Sequence, residues 1–162
     1  MKRLIVCAAV LFLIGGFSYA EPPIAGHSNL VDAHDYAVAA INAVNAARVA
    51  NEWDLGGKAA KADDLLLQAK GEITEAAKSV KGIYTSLVKR VAATIPAENI
   101  DPKTHPNLAA AQHNIVMAYN KLVAGQNAGD YDMDGHADHA KVLLSKADLL
   151  LKQAAEAANL IQ

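Results

Sequence analysis

The sequence predicts an all-α protein, an up-down-up-down four-helix bundle made of two tandem helical hairpins, and three observations predict it. A segment beginning at His27 recurs without a gap from His105, and apolar residues within each copy return at spacings of three and four. The chain is also rich in alanine and poor in aromatics, which make up only 5% of it. Alanine has the highest helix propensity, and its small side chain lets helices approach closely.

The N-terminus is not part of that fold. Met1-Lys2-Arg3 is cationic, Leu4 to Ile14 is unbroken apolar sequence, and Gly15-Gly16-Phe17-Ser18-Tyr19-Ala20 follows. Residues 1–20 therefore read as a secretory signal peptide cleaved before Glu21, with Ser18 and Ala20 at the small-residue positions. A bilayer span needs roughly 20 apolar residues, and this core is shorter. The mature chain, residues 21–162, is expected to be one helical-bundle domain, periplasmic or secreted, without membrane contact after cleavage. Cys7, the single cysteine, falls inside the apolar core, so the mature protein would hold no thiol, disulfide or covalent haem. It keeps 13 basic residues against 17 acidic ones, a net charge near −4, which argues against a nucleic-acid partner.

Residues 27–83 align with 105–161 at a constant offset of 78, and 19 of the 57 pairs are identical. Nine are Ala–Ala pairs, which an alanine-rich chain yields easily. The others include Val38/Val116, Asn42/Asn120, Asp54/Asp132, Gly57/Gly135, Leu65/Leu143 and Leu66/Leu144, and Trp53/Tyr131 and Ile73/Leu151 are conservative. Matches of this kind at one offset mark a tandem duplication.

Each copy reads as helix, turn, helix. Leu30, Ala33, Ala37, Ile41 and Val44 form one apolar stripe, and Leu108, Ala111, Ile115, Tyr119 and Leu122 form its counterpart. The turns arrive in step, at Asn51 to Gly57 and at Gly129 to Gly135, with Asp54 and Asp132 placed to cap the helices that follow. Those second helices carry Leu65, Leu66, Ala69, Ile73, Ala76 and Val80, and Leu143, Leu144, Ala147, Leu151, Ala154 and Ala158. The linker, residues 84–104, first prolongs the second helix to Val91 and then meets Pro96 and Pro102. Two hairpins with one apolar face each can bury those faces against each other, and the bundle is the simplest result.

No catalytic constellation is present, so the protein is not read as an enzyme. The sequence lacks a Gly-rich phosphate loop, a nucleophile motif, a Glu-x-x-His pair and a Cys-x-x-Cys-His segment, which excludes the familiar nucleotide and haem sites. Chemistry concentrates instead at the second turn, where Asp130, Asp132, Asp134, His136, Asp138 and His139 fall within ten residues. Asp130, Asp132, Asp134 and Gly135 match the opening of an EF-hand calcium loop, but the twelfth position is Lys141 where a bidentate Glu is needed, so a weaker calcium loop is the form of calcium site that stays open. His136 and His139, three apart on a helix, can project to one side and with Asp132 or Asp134 form a nitrogen–oxygen site for copper, nickel or zinc. Carboxylates at a helix start also serve as caps, and the first copy has Glu52, Asp54, Gly56, Lys58, Ala60 and Lys61 at these positions, with no imidazole. A non-catalytic structural or protein-interaction module is therefore the alternative. The remaining histidines lie near helix starts, His27 and His34 in the first copy, His105 and His113 in the second. In up-down-up-down order the first and third helices run parallel, so these four rings are expected at one end of the bundle. His34 is expected as a hydrogen-bonded histidine at the core edge.

The stretch Asp134-Gly135-His136-Ala137-Asp138-His139-Ala140-Lys141-Val142-Leu143-Leu144, with His105-Pro106-Asn107-Leu108 before it, resembles a group of small exported bacterial α-helical repeat proteins. Some members of that group are similar to small periplasmic metal-binding proteins, helical bundles thought to buffer copper and other divalent ions. The resemblance implies an exported bundle whose partner is a divalent metal ion, with Gly135-His136 opening the ligand-bearing helix.

Overall fold

A computed structural model describes residues 27–51, 55–80, 93–128 and 133–159. Among them are four helices and no strand: α1 (Ser28–Asn51), α2 (Lys58–Ser79), α3 (Pro106–Asn127) and α4 (His136–Asn159). This is the all-α bundle of two hairpins that the periodicity predicts. None of these helices is long and apolar enough to cross a membrane. The segment read as a signal peptide, the expected caps Asp54 and Asp132, Trp53, Tyr131 and the expected prolongation of the second helix over 84–91 lie outside the described residues.

The core is a seam of small and medium side chains. Leu30, Ala33, Ala37, Ala40, Val44 and Ala47 of α1 are buried, and so are Leu108, Ala111, Ile115, Ala118, Leu122 and Gly125 at the same positions of α3. The second helices match in the same way, from Ala59 and Ala137 to Ala76 and Ala154. Spacing of three and four keeps these positions on one face, whereas Ile41, Leu65 and Leu143 sit one residue off the seam and are only partly buried on its flank.

α1 packs chiefly on α3, α2 on α4, and each first helix on its own second helix. Every one of these neighbours is antiparallel. Lys121 near the end of α3 pairs with Asp32 near the start of α1 at 2.6 Å, and a Cβ on Gly125 would touch Asn29 and Leu30. At the other end, Ala47 and Ala50 of α1 share a small cavity with His105 and Leu108. Directions thus alternate up-down-up-down around the bundle, in the cyclic order α1, α2, α4, α3. The expectation that α1 and α3 run parallel is corrected: the second hairpin is inverted on the first, as an approximate two-fold requires. His27 and His34 therefore share an end with the start of α4, and His105 and His113 lie at the opposite end. The physical reason is the connection between the hairpins, which returns along the bundle instead of closing a short loop.

That return is built into the fold. Thr94 accepts a hydrogen bond from Ser145, the Ala97 amide donates to Asp148 at 3.3 Å, and Pro96 and Ile100 are buried. Gln112, 1% exposed, accepts from the amides of Asn99 and Ile100 at 2.6 and 2.9 Å and donates to Asn99 and Asp148 at 3.0 and 2.7 Å. A buried amide stripped of these partners would cost about 1–3 kcal/mol, so the satisfied side chain fixes the path of the chain. The duplicate of Gln112 is His34, also buried at the core edge, as expected.

Both hairpin turns use the left-handed region three times in succession: φ is 48°, 66° and 71° at Leu55, Gly56 and Gly57, and 49°, 54° and 82° at Met133, Asp134 and Gly135. An L-residue there costs roughly 1–2 kcal/mol. Leu55 and Met133 are buried, and burial of such side chains contributes about 1.5–3 kcal/mol, enough to hold them in place. Each hairpin is then tied across its two helices by a polar contact with the partners exchanged. Arg48 lies 3.5 Å from Asp63 in the first, and in the second Lys141 donates to Gln126 at 2.7 Å.

Two predictions follow from this packing. Gly71 is an exposed helical glycine with no neighbour near its Cβ position, so Gly71→Ala should raise the urea-derived unfolding free energy by about 0.5–1 kcal/mol, while Gly135→Ala should lower it by about 1 kcal/mol or more. Burial raises the Asp63 carboxyl above the ordinary carboxylate range, Arg48 opposing and Asp64 adding, and the Asp63 Oδ1 is a buried oxygen without a hydrogen bond. A raised folded pKa means that the folded state holds the proton more tightly, so stability is gained as pH falls through that value. The advantage of Asp63→Asn over the parent should therefore be largest near neutrality and shrink on acidification, as urea melts across the acid range would show.

Candidate functional site

α4 begins directly after the left-handed turn, with Gly135 at φ 82° and His136 as the first helical residue. Asp134 is exposed and held at φ 54°, where the first hairpin has Gly56. The turn residues Asp130 and Asp132 lie outside the described residues. Three residues of left-handed backbone running straight into a helix differ from the twelve-residue loop of an EF-hand. Lys141, at the twelfth position, turns its ammonium to Asp138 at 2.7 Å.

The two imidazoles do converge, on a carboxylate of the other hairpin. Glu72, on the fourth turn of α2, has Oε2 2.6 Å from His136 Nδ1 and 4.0 Å from His139 Nδ1. The antiparallel packing of α2 on α4 brings the late part of one helix to the start of the other. Glu72 and His136 are each about one-third exposed, at 30% and 32%, and His139 is 61% exposed, so all three are open to solvent and ions. Glu75, one turn along, bonds Lys78, which holds its carboxyl below the ordinary carboxylate range and keeps a further negative charge beside His136.

Asp138 is committed elsewhere. It is 3% exposed, and its Oδ1 accepts from Gln126 Nε2 at 3.0 Å as well as facing Lys141. Together with burial, its charge raises the pKa of the Tyr119 hydroxyl. It is thus a buried strut between α3 and α4. The histidines at the far end are likewise engaged, His105 with Asn159 at 2.9 Å and His113 with Glu98 at 2.9 Å.

Among the described residues no three His, Cys, Asp or Glu side chains stand together as a ready-made ion cage. The structure joins His136 and His139 to Glu72, which the sequence reading missed because no local motif links residues of different hairpins. The repeat offset gives only a negative signal: the duplicates of Glu72, His136 and His139 are Leu150, Lys58 and Lys61, so the arrangement exists at one end alone. No protein-family model matches the chain, and neither a curated protein nor a solved structure does.

Asp138→Ala should take the carboxylate from Lys141, only 13% exposed, and the acceptor from Gln126 Nε2, and lower stability by about 2–3 kcal/mol in thermal or urea unfolding. Lys141→Met should also destabilise, by taking the cation from a buried carboxylate.

Proposed function

We propose that this chain is an exported, non-catalytic helical-bundle protein of the periplasm that binds one divalent metal ion at the start of α4. His136 and His139 supply nitrogen ligands, and Asp132 and Asp134 supply oxygen from the turn, with Asp130 close in sequence. The observation that carries this reading is the pair of solvent-accessible imidazoles, one helical turn apart, oriented on a single carboxylate. A mixed set of imidazole and carboxylate suits zinc, copper(II) or nickel. The strained Asp134 adds support, since a residue kept in the left-handed region where its duplicate is glycine is a local cost that a ligand role would explain. The alternative, a protein-interaction module without a metal, is favoured by one feature. Between residues 93–97 and α4 runs a groove of about 440 Å³ beside two exposed apolar side chains, Ile95 and Leu149.

Calorimetric titration and thermal melts with copper, nickel, zinc and calcium separate these readings. An ion that binds the folded state should raise Tm progressively with its concentration, by the equivalent of about 2.7 kcal/mol at a hundredfold excess over Kd. His136→Ala with His139→Ala should abolish the effect of zinc, copper and nickel. Binding should also weaken on acidification, because protons compete with the ion for the imidazole nitrogens. If calcium alone binds, and Asp132→Ala removes it while the double histidine variant does not, the site is oxygen-based. Absence of saturable binding for all four ions would leave the interaction module.

A further inference from the structure

The contact between His136 and Glu72 fixes more than a position. An ionised carboxylate can only accept a hydrogen bond, so the imidazole nitrogen 2.6 Å from Glu72 Oε2 must carry the proton, and that nitrogen is Nδ1. In the neutral ring the lone pair then resides on Nε2. A free histidine prefers the opposite arrangement, with the proton on Nε2, so the carboxylate selects the less common tautomer. In metal sites the ligating histidine commonly donates its other ring N–H to a carboxylate, which sets the tautomer and raises the basicity of the ligating nitrogen.

We propose that Glu72 is a positioning residue that prepares His136 as an Nε2 ligand for a zinc-like divalent ion, by holding its Nδ1 proton from across the interface between the two hairpins. This rests on the metal reading given above and narrows it. A carboxylate engaged with an N–H in this way serves an imidazole-bound ion such as zinc, copper(II) or nickel, and adds nothing to a calcium site, which wants oxygen ligands. Glu72 is well suited to the task, because its neighbour Ile73 is fully buried and anchors this turn of α2 in the core. His139 Nδ1, 4.0 Å from the same oxygen, lies in the same field but beyond hydrogen-bond distance. Other histidine–carboxylate contacts, His34 with Asp35 and His113 with Glu98, do not bridge the hairpins.

Nitrogen-15 spectra of the imidazole rings, recorded on the metal-free protein at a pH above the histidine range, read the tautomer directly. His136 should appear in the Nδ1–H form. Glu72→Ala should return it toward the Nε2–H form, and Glu72→Gln, whose amide oxygen still accepts, should preserve the Nδ1–H form. Zinc titration of the same three proteins should show affinity falling 10- to 100-fold in Glu72→Ala and by less in Glu72→Gln. An Nε2–H ring in the parent protein would overturn the inference without recourse to metal. So would an Nδ1–H ring whose loss in Glu72→Ala leaves zinc affinity unchanged. If the tautomers behave as described but the parent binds no zinc, copper or nickel, the metal reading itself has failed and the preparatory role falls with it. The assigned spectra also report whether each variant is folded.

Discussion

Each hairpin of this protein carries one apolar face that its own two helices cannot cover, and among the described residues the surface that completes it is the same face of the other hairpin turned end for end. Much of the architecture depends on that inverted apposition. It sets large side chains against small ones, as where Leu30 reaches Gly125, and so allows the close approach that an alanine seam requires. It obliges the chain to travel back along the bundle before α3 can begin, which explains why residues 93–100, outside any helix, include buried side chains and donate two amides to the buried Gln112 of α3. It also decides which ends of which helices meet, and hence that the first turn of α4 faces the later turns of α2.

Polar side chains in this fold divide by what the packing asks of them. Gln112, Asp138 and Lys141 are buried or nearly so and spend their hydrogen-bonding capacity on neighbouring segments. Burial raises the Asp148 carboxyl despite bonds from Gln112 and the Ala97 amide, a cost accepted where the returning chain must be held. Glu72, His136 and His139 differ in being partly exposed, grouped, and absent from the duplicate end. A group that neither fills the core nor recurs with the repeat has the least structural reason to be present. That contrast, more than the density of aspartates along the sequence, distinguishes the start of α4.

Helix content and much of the buried seam were legible because they are written in periodicity, and periodicity is local. The choice between Ala40 and Ile41 as the seam residue was not, since the more hydrophobic side chain lies on the flank and only the packing partner decides which of two adjacent residues faces inward. The relative direction of α1 and α3 was equally hidden. A linker with prolines was compatible with a short-range closure or a long return, and nothing near Pro96 announces that its ring will be buried against the second hairpin. For the same reason nothing in the sequence beside Asp138 announces that it meets Gln126 of α3 as well as Lys141. Glu72 was invisible for the converse reason: its partners are 64 and 67 residues away in the chain.

The inverted pairing also changes what counts as a partner. In an isologous interface, residue i of one half meets residue j of the other and j meets i, and here both halves belong to one chain. Leu30 and Leu108 are duplicates, yet neither packs against the other; Leu30 lies over Gly125, and Leu108 lies beside Ala47. Bulk at one end of the repeat is therefore matched by smallness at its opposite end, twice over. A side chain enlarged at Gly125 must be answered at Leu30 and not at its own duplicate, Ala47, so the two copies are free to drift apart in sequence provided they drift in crossed pairs.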